Sequence, residues 1–383
     1  MRNFKKVLIP VLIPVIIVAA IITINSILNY LLVPYTHIRV DVHNVEEGDY
    51  EQIVLGTSHG KCGIDPAVLS EETGLQTINA CRGSEYPEDV LYLLKDGART
   101  HEIKRVIYEI DPAYLQVEAN QNTDYVALYQ EMAPSLVKLQ YFFAKMANAD
   151  FRTMLMKWYL YRDKTDSIAN NIAVKSSDAY KNYEVLPSFS TDAQEYRADG
   201  FNAIHRTDAE KTETPPAALW HAGEVREDSL NAVKEIASFC QENEIELVLV
   251  ITPIPAVTYE TYEESYAEAS RYMAELAAEL DVKLLDCIQE GNSEDAASEE
   301  DGKSEDVAFG QEGNTEDAAS EQEGKTKTAA SGVDSALTGK TMSGMDSGDF
   351  TNLEDFSDYD GHMFEDTAEQ FTRLLAEKLN ECR

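Results

Sequence analysis

The stretch that decides the fold is residues 53–65, IVLGTSHGKCGID, in which an apolar run passes into small and polar residues. Residues 51–57, EQIVLGT, have the composition of a short buried strand. Asp65 and Pro66 then open a second segment, and an Asp cap followed by Pro in the first turn is typical of a helix start. The stretch therefore predicts a strand, a turn and a helix, with Ser58 in the turn.

The same alternation of apolar strands and amphipathic helices continues along the chain. Further strands are predicted at 75–80, 104–111, 245–255 and 282–287. Helices are predicted at 65–74, 86–100, 226–244 and 262–281, and another ends the segment 349–379. Short apolar strands separated by helices are typical of a parallel sheet with helices on both faces. The expected fold class is therefore α/β.

The charge of the chain narrows its possible partners. The 383 residues include 69 acidic and 32 basic side chains, which give a formal net charge of −37. Such a surface repels phosphate groups, so the composition argues against a nucleic-acid partner. A hydrophobic content of 44% is enough for a sizeable core.

The N-terminus predicts a membrane anchor. The basic flank 1–6, MRNFKK, precedes an uncharged apolar run at 7–33. A bilayer core needs about 20 apolar residues, and the run has no small-residue cleavage site at its end. Because basic flanks stay in the cytoplasm, we expect a single-pass signal anchor in the cell membrane, with residues from 38 onward outside it. The alternative is a long cleaved signal peptide, which would also export the domain.

The five cysteines fit neither a disulfide scaffold nor a zinc site, because their number is odd and their spacing is not that of metal ligands. No metal and no cofactor are therefore expected. A pair between Cys62 and Cys81 is left open, but small buried hydrophobic residues are the expected role for most of the five.

Two long segments depart from the α/β pattern. Residues 113–225 contain the aromatic-rich runs 132–147 and 151–164 and predict a helical insertion or cap, which either packs beside the sheet or touches a membrane. Residues 288–349 hold an acidic repeat that begins at Glu290 and again at Glu312. This composition predicts a disordered insertion, with a cation- or wall-binding tether as the alternative.

The residues for nucleophilic catalysis occur in the order Ser, Asp, His. Ser58 follows the first strand, at the edge where sites gather in open α/β sheets. His362 lies in FSDYDGHMF, close to Asp358 and Asp360, and a carboxylate can hold a histidine in one tautomer. The structural alternatives are a turn or capping hydroxyl for Ser58 and a capping role for His362.

Two segments resemble those of the SGNH/GDSL-type hydrolases. IVLGTSHGKCGIDP (53–66) is similar to the opening block, in the Gly-x-Ser-His branch near the DltD-like exported proteins, which are partners in D-alanylation of teichoic acids. FSDYDGHMFEDTAEQF (356–371) resembles the closing block, in which an Asp precedes a His and a helix follows. It keeps Phe356, Asp358, His362, Met363, Ala368 and Phe371. The resemblance covers about 50–115, 226–287 and 350–380, and its middle part includes 79–100 and 104–115.

The resemblance implies a three-layer SGNH-like, flavodoxin-like sheet with Ser58 as nucleophile and His362 as base. It also implies an oxyanion hole made by the backbone N–H groups of Ser58 and Gly83. Asn79 is a weak candidate for a further donor, and His59 either binds substrate or packs locally. The chain departs from the family in lacking a Gly-x-Asn-Asp block, since the third strand ends in EID, and in Phe364 and Thr367 after the histidine.

A second departure concerns the acid of the triad. The Asp-to-His spacing is one residue longer than usual for Asp358 and one residue shorter for Asp360. Both therefore stay candidates, with Asp358 favoured because Phe356 and Ser357 precede it.

The sequence thus predicts a membrane-anchored esterase or O-acyltransferase that acts outside the cytoplasm on ester groups of a cell-surface polymer or acylated glycan. The family resemblance implies O-acetyl or D-alanyl chemistry and a membrane-bound O-acyltransferase partner. The alternative is a catalytically degenerate assembly or binding component of a surface-polymer modification system. A further hypothesis places the function in the acidic insertion.

Overall fold

The computed structural model describes residues 2–118, 126–145, 149–207, 210–211, 213–288 and 350–381, with side chains from residue 12 onward. Apart from residue 288, the predicted repeat insertion at 288–349 lies outside the described residues. The described strands are β1 (Gln52–Leu55), β2 (Thr77–Asn79), β3 (Arg105–Glu109), β4 (Gln194–Tyr196), β5 (Asn202–Ile204), β6 (Glu246–Ile251) and β7 (Lys283–Asp286).

The described helices occur both before and after residues 289–349. They are α1 (Arg2–Leu32), α2 (His37–Glu47), α3 (Ser58–Gly63), α4 (Pro66–Thr73), α5 (Pro87–Gly97), α6 (Ala127–Glu131), α7 (Leu136–Lys145), α8 (Phe151–Leu155), α9 (Ile168–Lys175), α10 (Asp178–Lys181), α11 (Glu227–Glu242), α12 (Ala256–Thr261), α13 (Glu263–Leu280) and α14 (Glu365–Glu381). Short 3-10 turns occupy Pro112–Leu115, Lys157–Tyr161, Thr165–Ser167, Pro187–Phe189 and Leu353–Asp355.

The five predicted strands form one parallel sheet in the order β2-β1-β3-β6-β7. Counted within this sheet, the order is 2-1-3-4-5, which is that of flavodoxin-like doubly wound sheets. The α/β class expected from the sequence is confirmed. Each strand is shorter than the run predicted for it.

Alternate residues along each strand face two different cores, as the two-residue period of a strand requires. On one face, Ile53, Tyr108 and Leu249 pack with side chains of α5, α11 and α13. On the other, Val54, Ile107 and Val248 pack with side chains of α4 and α14. Helices therefore cover both faces of the sheet, and both ends of the described α/β domain contribute to its core.

Helix α1 supports the predicted anchor. Within the described residues, Leu12–Leu32 is the one stretch that is long and apolar enough to cross a membrane, with a mean hydropathy of 2.3 and none of its most apolar window buried by the protein. The direction of crossing stays a prediction.

The described residues of the segment 113–225 form a set of short helices beside the sheet domain. The predicted helical run 132–147 becomes α7, and 151–164 becomes α8 followed by a 3-10 turn. The antiparallel pair β4–β5 was not predicted, since its strands are only three residues long. The segment contacts α1 through α9, α2 through α6 and α5 through α7.

The four cysteines that the structure describes are buried, and no disulfide joins any of them to another described residue. Cys62 and Cys81 do not pair, and the expectation of buried hydrophobic residues is confirmed for these four. Cys382 lies outside the described residues.

Candidate active site

Ser58 lies at the carboxyl edge of the sheet, as the first residue of α3 directly after β1. Thr57 caps this helix, and its hydroxyl accepts a hydrogen bond from the His59 N–H at 3.3 Å. The Ser58 residue is partly exposed. Among the described residues, no hydrogen bond joins its hydroxyl to His362.

Glu109 fixes the turn that carries Ser58. It ends β3, the neighbour of β1, and is only 1% exposed. Its Oε2 atom accepts hydrogen bonds from the Thr57 N–H at 2.6 Å and the Thr57 hydroxyl at 2.9 Å. Burial raises the pKa of Glu109, while the bonds from Thr57 oppose this effect. Glu109 therefore positions the backbone next to Ser58.

Gly56 allows the turn after β1 to approach the end of β3 closely. Its φ of +145° is disfavoured for residues with a side chain, and a Cβ there would lie 2.2 Å from the Glu109 carbonyl oxygen. The Gly-x-Ser-His motif therefore has a physical reason for its glycine.

Asp358 holds His362 in the geometry of a catalytic dyad. The Nδ1 atom of His362 lies 2.7 Å from Oδ2 of Asp358. The other carboxylate oxygen, Oδ1, accepts backbone N–H groups from Asp360, Gly361 and His362 at 3.0 to 3.1 Å. These four contacts fix both the loop and the imidazole, so the Nε2 atom is left as the basic nitrogen.

The pKa values of this pair move apart. Burial raises the pKa of Asp358, but the hydrogen bonds and charge of His362 and the loop N–H groups outweigh burial and lower the pKa to about 2. Burial lowers the pKa of His362, but the bond to Asp358 and the nearby acidic charges raise it above its ordinary value. The carboxylate is therefore charged and ready to stabilise an imidazolium.

Asp360 does not orient His362. Its Oδ1 atom accepts the Ala217 N–H at 3.1 Å, and its Oδ2 atom lies 3.9 Å from Nε2 of His59. Of the two sequence candidates, Asp358 is the one whose carboxylate contacts the histidine ring.

His59 lies against His362, the candidate base. The ring centroids of His59 and His362 are 4.7 Å apart. The His59 side chain is 11% exposed, and its Nε2 atom has no hydrogen-bond partner among the described residues. Burial and the charge of His362 lower the pKa of His59 to about 4. His59 is therefore neutral at physiological pH.

His59, Asp360 and His362 could also hold a metal ion. Each offers one ligand atom, and these atoms all lie within 4.8 Å of one another. The Asp358–His362 bond is of the kind that orients metal-bound histidines as well as catalytic ones. No local pattern reveals this group, because His59 is remote in the chain from the other two.

Of the three predicted oxyanion donors, Gly83 and Asn79 differ in the structure. The Arg82 N–H donates to the Gly56 carbonyl at 2.9 Å, which places the turn holding Gly83 beside the Ser58 turn. Gly83 is exposed, and no hydrogen bond within the described residues uses its N–H. Asn79 is buried and donates to the Gly60 and Ile64 carbonyls, both at 2.8 Å. Both amide hydrogens of Asn79 therefore brace α3 and are not free for an oxyanion.

A small cleft, with a cavity volume of about 30 Å³, opens beside His59 and Asp360. Its polar end also includes Glu109 and Asp111, and burial together with the Glu109 charge raises the pKa of Asp111 to about 7. The remaining wall is mainly apolar and includes Pro112, Ala113, Trp220, Ile251, Ile254 and Tyr266. The cleft lies at the carboxyl ends of β3 and β6, next to the end of β1, as expected for an open α/β sheet.

A buried ion pair links α3 to the segment that follows α1. Lys61 donates to Asp41 at 3.0 Å and to the Tyr196 hydroxyl at 3.1 Å. Because Asp41 lies on α2, this contact fixes the helix that begins with Ser58 relative to the N-terminal part of the chain.

No family model matches this chain, and none of the curated proteins is measurably similar to it in sequence.

Sequence reasoning missed Glu109 and Lys61 as positioning residues and did not locate the cleft. An acidic side chain inside the apolar run RVIYE was the available signal for Glu109. The partners of Lys61 and the cleft walls come from distant segments, so no local pattern could reveal them.

Proposed function

We propose that this protein is a membrane-anchored serine acyl esterase or O-acyltransferase of the SGNH type, acting on ester groups of a cell-surface polymer. The observation that carries the proposal is the 2.7 Å contact between His362 and Asp358, with the Asp358 carboxylate fixed by three backbone N–H groups. A charged carboxylate behind a histidine is the arrangement that activates a serine hydroxyl.

In the proposed reaction, the Ser58 hydroxyl attacks the ester carbonyl carbon, and Nε2 of His362 takes the hydroxyl proton. The backbone N–H groups of Ser58 and Gly83 stabilise the tetrahedral oxyanion. Collapse of this intermediate breaks the ester C–O bond, and His362 returns the proton to the leaving alcohol. The acyl group is then attached to Ser58.

Esterase and transferase differ only in the second step. Water attacking the acyl-serine gives a free acid, whereas a hydroxyl of a glycan or other polymer gives a new ester. In both cases His362 deprotonates the attacking group. The apolar walls of the cleft beside His59 support a small acyl group as the group that is transferred. The anchor supports a substrate or an O-acyltransferase partner at the membrane.

The second candidate is a binding or assembly component without catalysis. Two observations favour it: the described residues show no hydrogen bond between Ser58 and His362, and the His59 ring lies against His362. Catalytic hydrogen bonds often form only when substrate is bound, so this geometry is also compatible with an enzyme.

A fluorophosphonate probe distinguishes the two candidates. The full chain, in detergent or lipid nanodiscs, is treated beside Ser58→Ala, His362→Gln and the matched control His205→Gln, whose side chain is 41% exposed. The acyl-transfer proposal expects labelling of the wild type and His205→Gln only. A folded wild type that takes no label, alone or with its membrane fraction, would support the binding component.

A further inference from the structure

The C-terminal end of α1 contacts the helical segment 113–225 through α9. A helix leaves its last four carbonyl groups without intrahelical partners. Here Lys175 donates to the carbonyls of Asn29 and Tyr30, both at 2.8 Å. Asn171 donates to those of Leu31 and Leu32 at 3.0 and 3.1 Å. Helix α9, which carries both donors, therefore caps the end of α1.

The contact also extends down the side of α1. The Trp158 backbone N–H donates to Asn29 Oδ1 at 2.9 Å, and its indole N–H donates to Asn25 Oδ1 at 3.0 Å. At 1.5 Å per residue, Asn25 lies about 10 Å before Leu32 along the helix axis. We name this contact the collar: the 3-10 turn Lys157–Tyr161 and α9, around the end of α1.

The collar limits how much of α1 can lie inside the bilayer. Residues 7–24 are uncharged and extend about 27 Å as a helix, close to the hydrocarbon thickness of about 30 Å. The membrane-spanning part can therefore end near Asn25, where polar side chains begin to bond with the collar. Trp158 would then lie at the membrane–water boundary, where tryptophan is enriched.

An exposed apolar face lies next to the collar. Outside α1, seven large apolar side chains of the described residues are exposed, and five of them lie on α7 and α8. On α7 they recur at helical spacing on one side, as do the two on α8. The exposed fractions are 79% for Leu136, 51% for Leu139, 61% for Phe143, 59% for Phe151 and 61% for Leu155. We name these five residues the apolar face.

Cationic and aromatic side chains connect the apolar face to the collar. The guanidinium groups of Arg152 and Arg162 lie over the Tyr159 ring at 4.6 and 4.5 Å from its centroid. Both arginine side chains are about half exposed, at 49% and 47%. Arginine and tyrosine beside exposed leucine and phenylalanine have the composition of a surface at the lipid headgroup level.

We propose that the apolar face docks onto the lipid bilayer beside α1, so that the domain is held on the membrane by two contacts. The occupant is lipid because the collar joins this surface to α1, whose exposed apolar side chains continue to Ile27. The net charge of −37 disfavours approach to anionic lipids, so burial of the apolar face and the tether must offset this repulsion. The inference does not depend on the acyl chemistry.

The test uses the full chain with Cys382→Ser, since the other four cysteines are buried. Single cysteines replace Leu139 or Phe151 on the apolar face, or the matched control Val257, which is 41% exposed on α12. Each carries an environment-sensitive fluorophore in phosphatidylcholine–phosphatidylglycerol vesicles, with and without nitroxide-labelled lipid.

If the apolar face docks onto lipid, the fluorophores at positions 139 and 151 should show blue-shifted emission and lose most of it with nitroxide lipid. The fluorophore at position 257 should show neither effect. Water-like emission at all three positions would overturn the proposal. A blue shift without quenching by nitroxide lipid would also overturn it, in favour of a second copy of the chain on this face. In a second measurement, vesicles should protect α7 of the wild type from protease, and Leu139→Glu and Phe151→Glu should remove this protection.

Discussion

The Nδ1 atom of His362 lies 2.7 Å from Asp358, whereas the carboxylate of Asp360 contacts Ala217 and approaches His59. If His362 is the base, Asp358→Asn should lower the rate of fluorophosphonate labelling by roughly 10³-fold or more, because the tautomer and the imidazolium lose their support. Asp360→Asn is the matched control and should cause only a small loss. Labelling kinetics measure both, and a larger loss in Asp360→Asn would contradict the assignment.

The rate of labelling should rise with pH. His362 must be neutral to accept the Ser58 proton, and its pKa lies above 6.5 because the Asp358 bond and acidic charges more than offset burial. The half-maximal rate is therefore expected above pH 6.5, and it should move to lower pH in Asp358→Asn. A pH series for both proteins tests this, and a wild-type midpoint below 6.5 would contradict it.

Gly56 should be far more sensitive to substitution than Gly74. Both have positive φ, but a Cβ at Gly56 would meet the Glu109 carbonyl at 2.2 Å, whereas nothing lies within 4 Å at Gly74. Gly74→Ala should lower the free energy of unfolding by about 1–2 kcal/mol from backbone strain alone. Gly56→Ala adds a backbone clash and should lower it by more than about 3 kcal/mol. Denaturant unfolding measures both, and equal losses would show that Glu109 moves away freely.

The strands and their helices could be predicted because each buried element carries its own period. β1 is an apolar run ended by glycine, and α11 has one apolar side. The local sequence of each element therefore indicates which of its side chains are buried. β4 and β5 lack such a signal, since three residues do not establish a period. Their pairing depends on contacts with α3 and α2 from other parts of the chain.

The residues of the candidate site could be proposed from the sequence, whereas their arrangement could not. Ser58 and His362 follow from a turn motif and a histidine near carboxylates, but the sequence could not decide between Asp358 and Asp360. The decision depends on the loop, in which Oδ1 of Asp358 accepts three successive N–H groups. The donors of Asn79 are likewise used by α3, which only the packed structure reveals.

The anchor should place the domain outside the cytoplasm. Arg2, Lys5 and Lys6 flank the apolar run, and such residues stay on the cytoplasmic side. In the Cys382→Ser background, a cysteine replacing Val257 should react with a membrane-impermeant maleimide on intact cells. A cysteine replacing Asn3 should react only after permeabilisation. The opposite pattern would place the site in the cytoplasm.

Zinc should inhibit acylation of Ser58 by binding His362. The ligand atoms of His59, Asp360 and His362 lie within 4.8 Å of one another, and Zn²⁺ prefers such nitrogen and oxygen ligands. A bound ion would occupy the nitrogen that must accept the Ser58 proton, so micromolar Zn²⁺ should slow fluorophosphonate labelling and a chelator should restore it. His59→Gln removes one ligand and should weaken the inhibition, while His205→Gln should not. If the chelator instead abolishes labelling of the untreated protein, the three residues hold a required metal and the serine mechanism with His362 as free base is wrong.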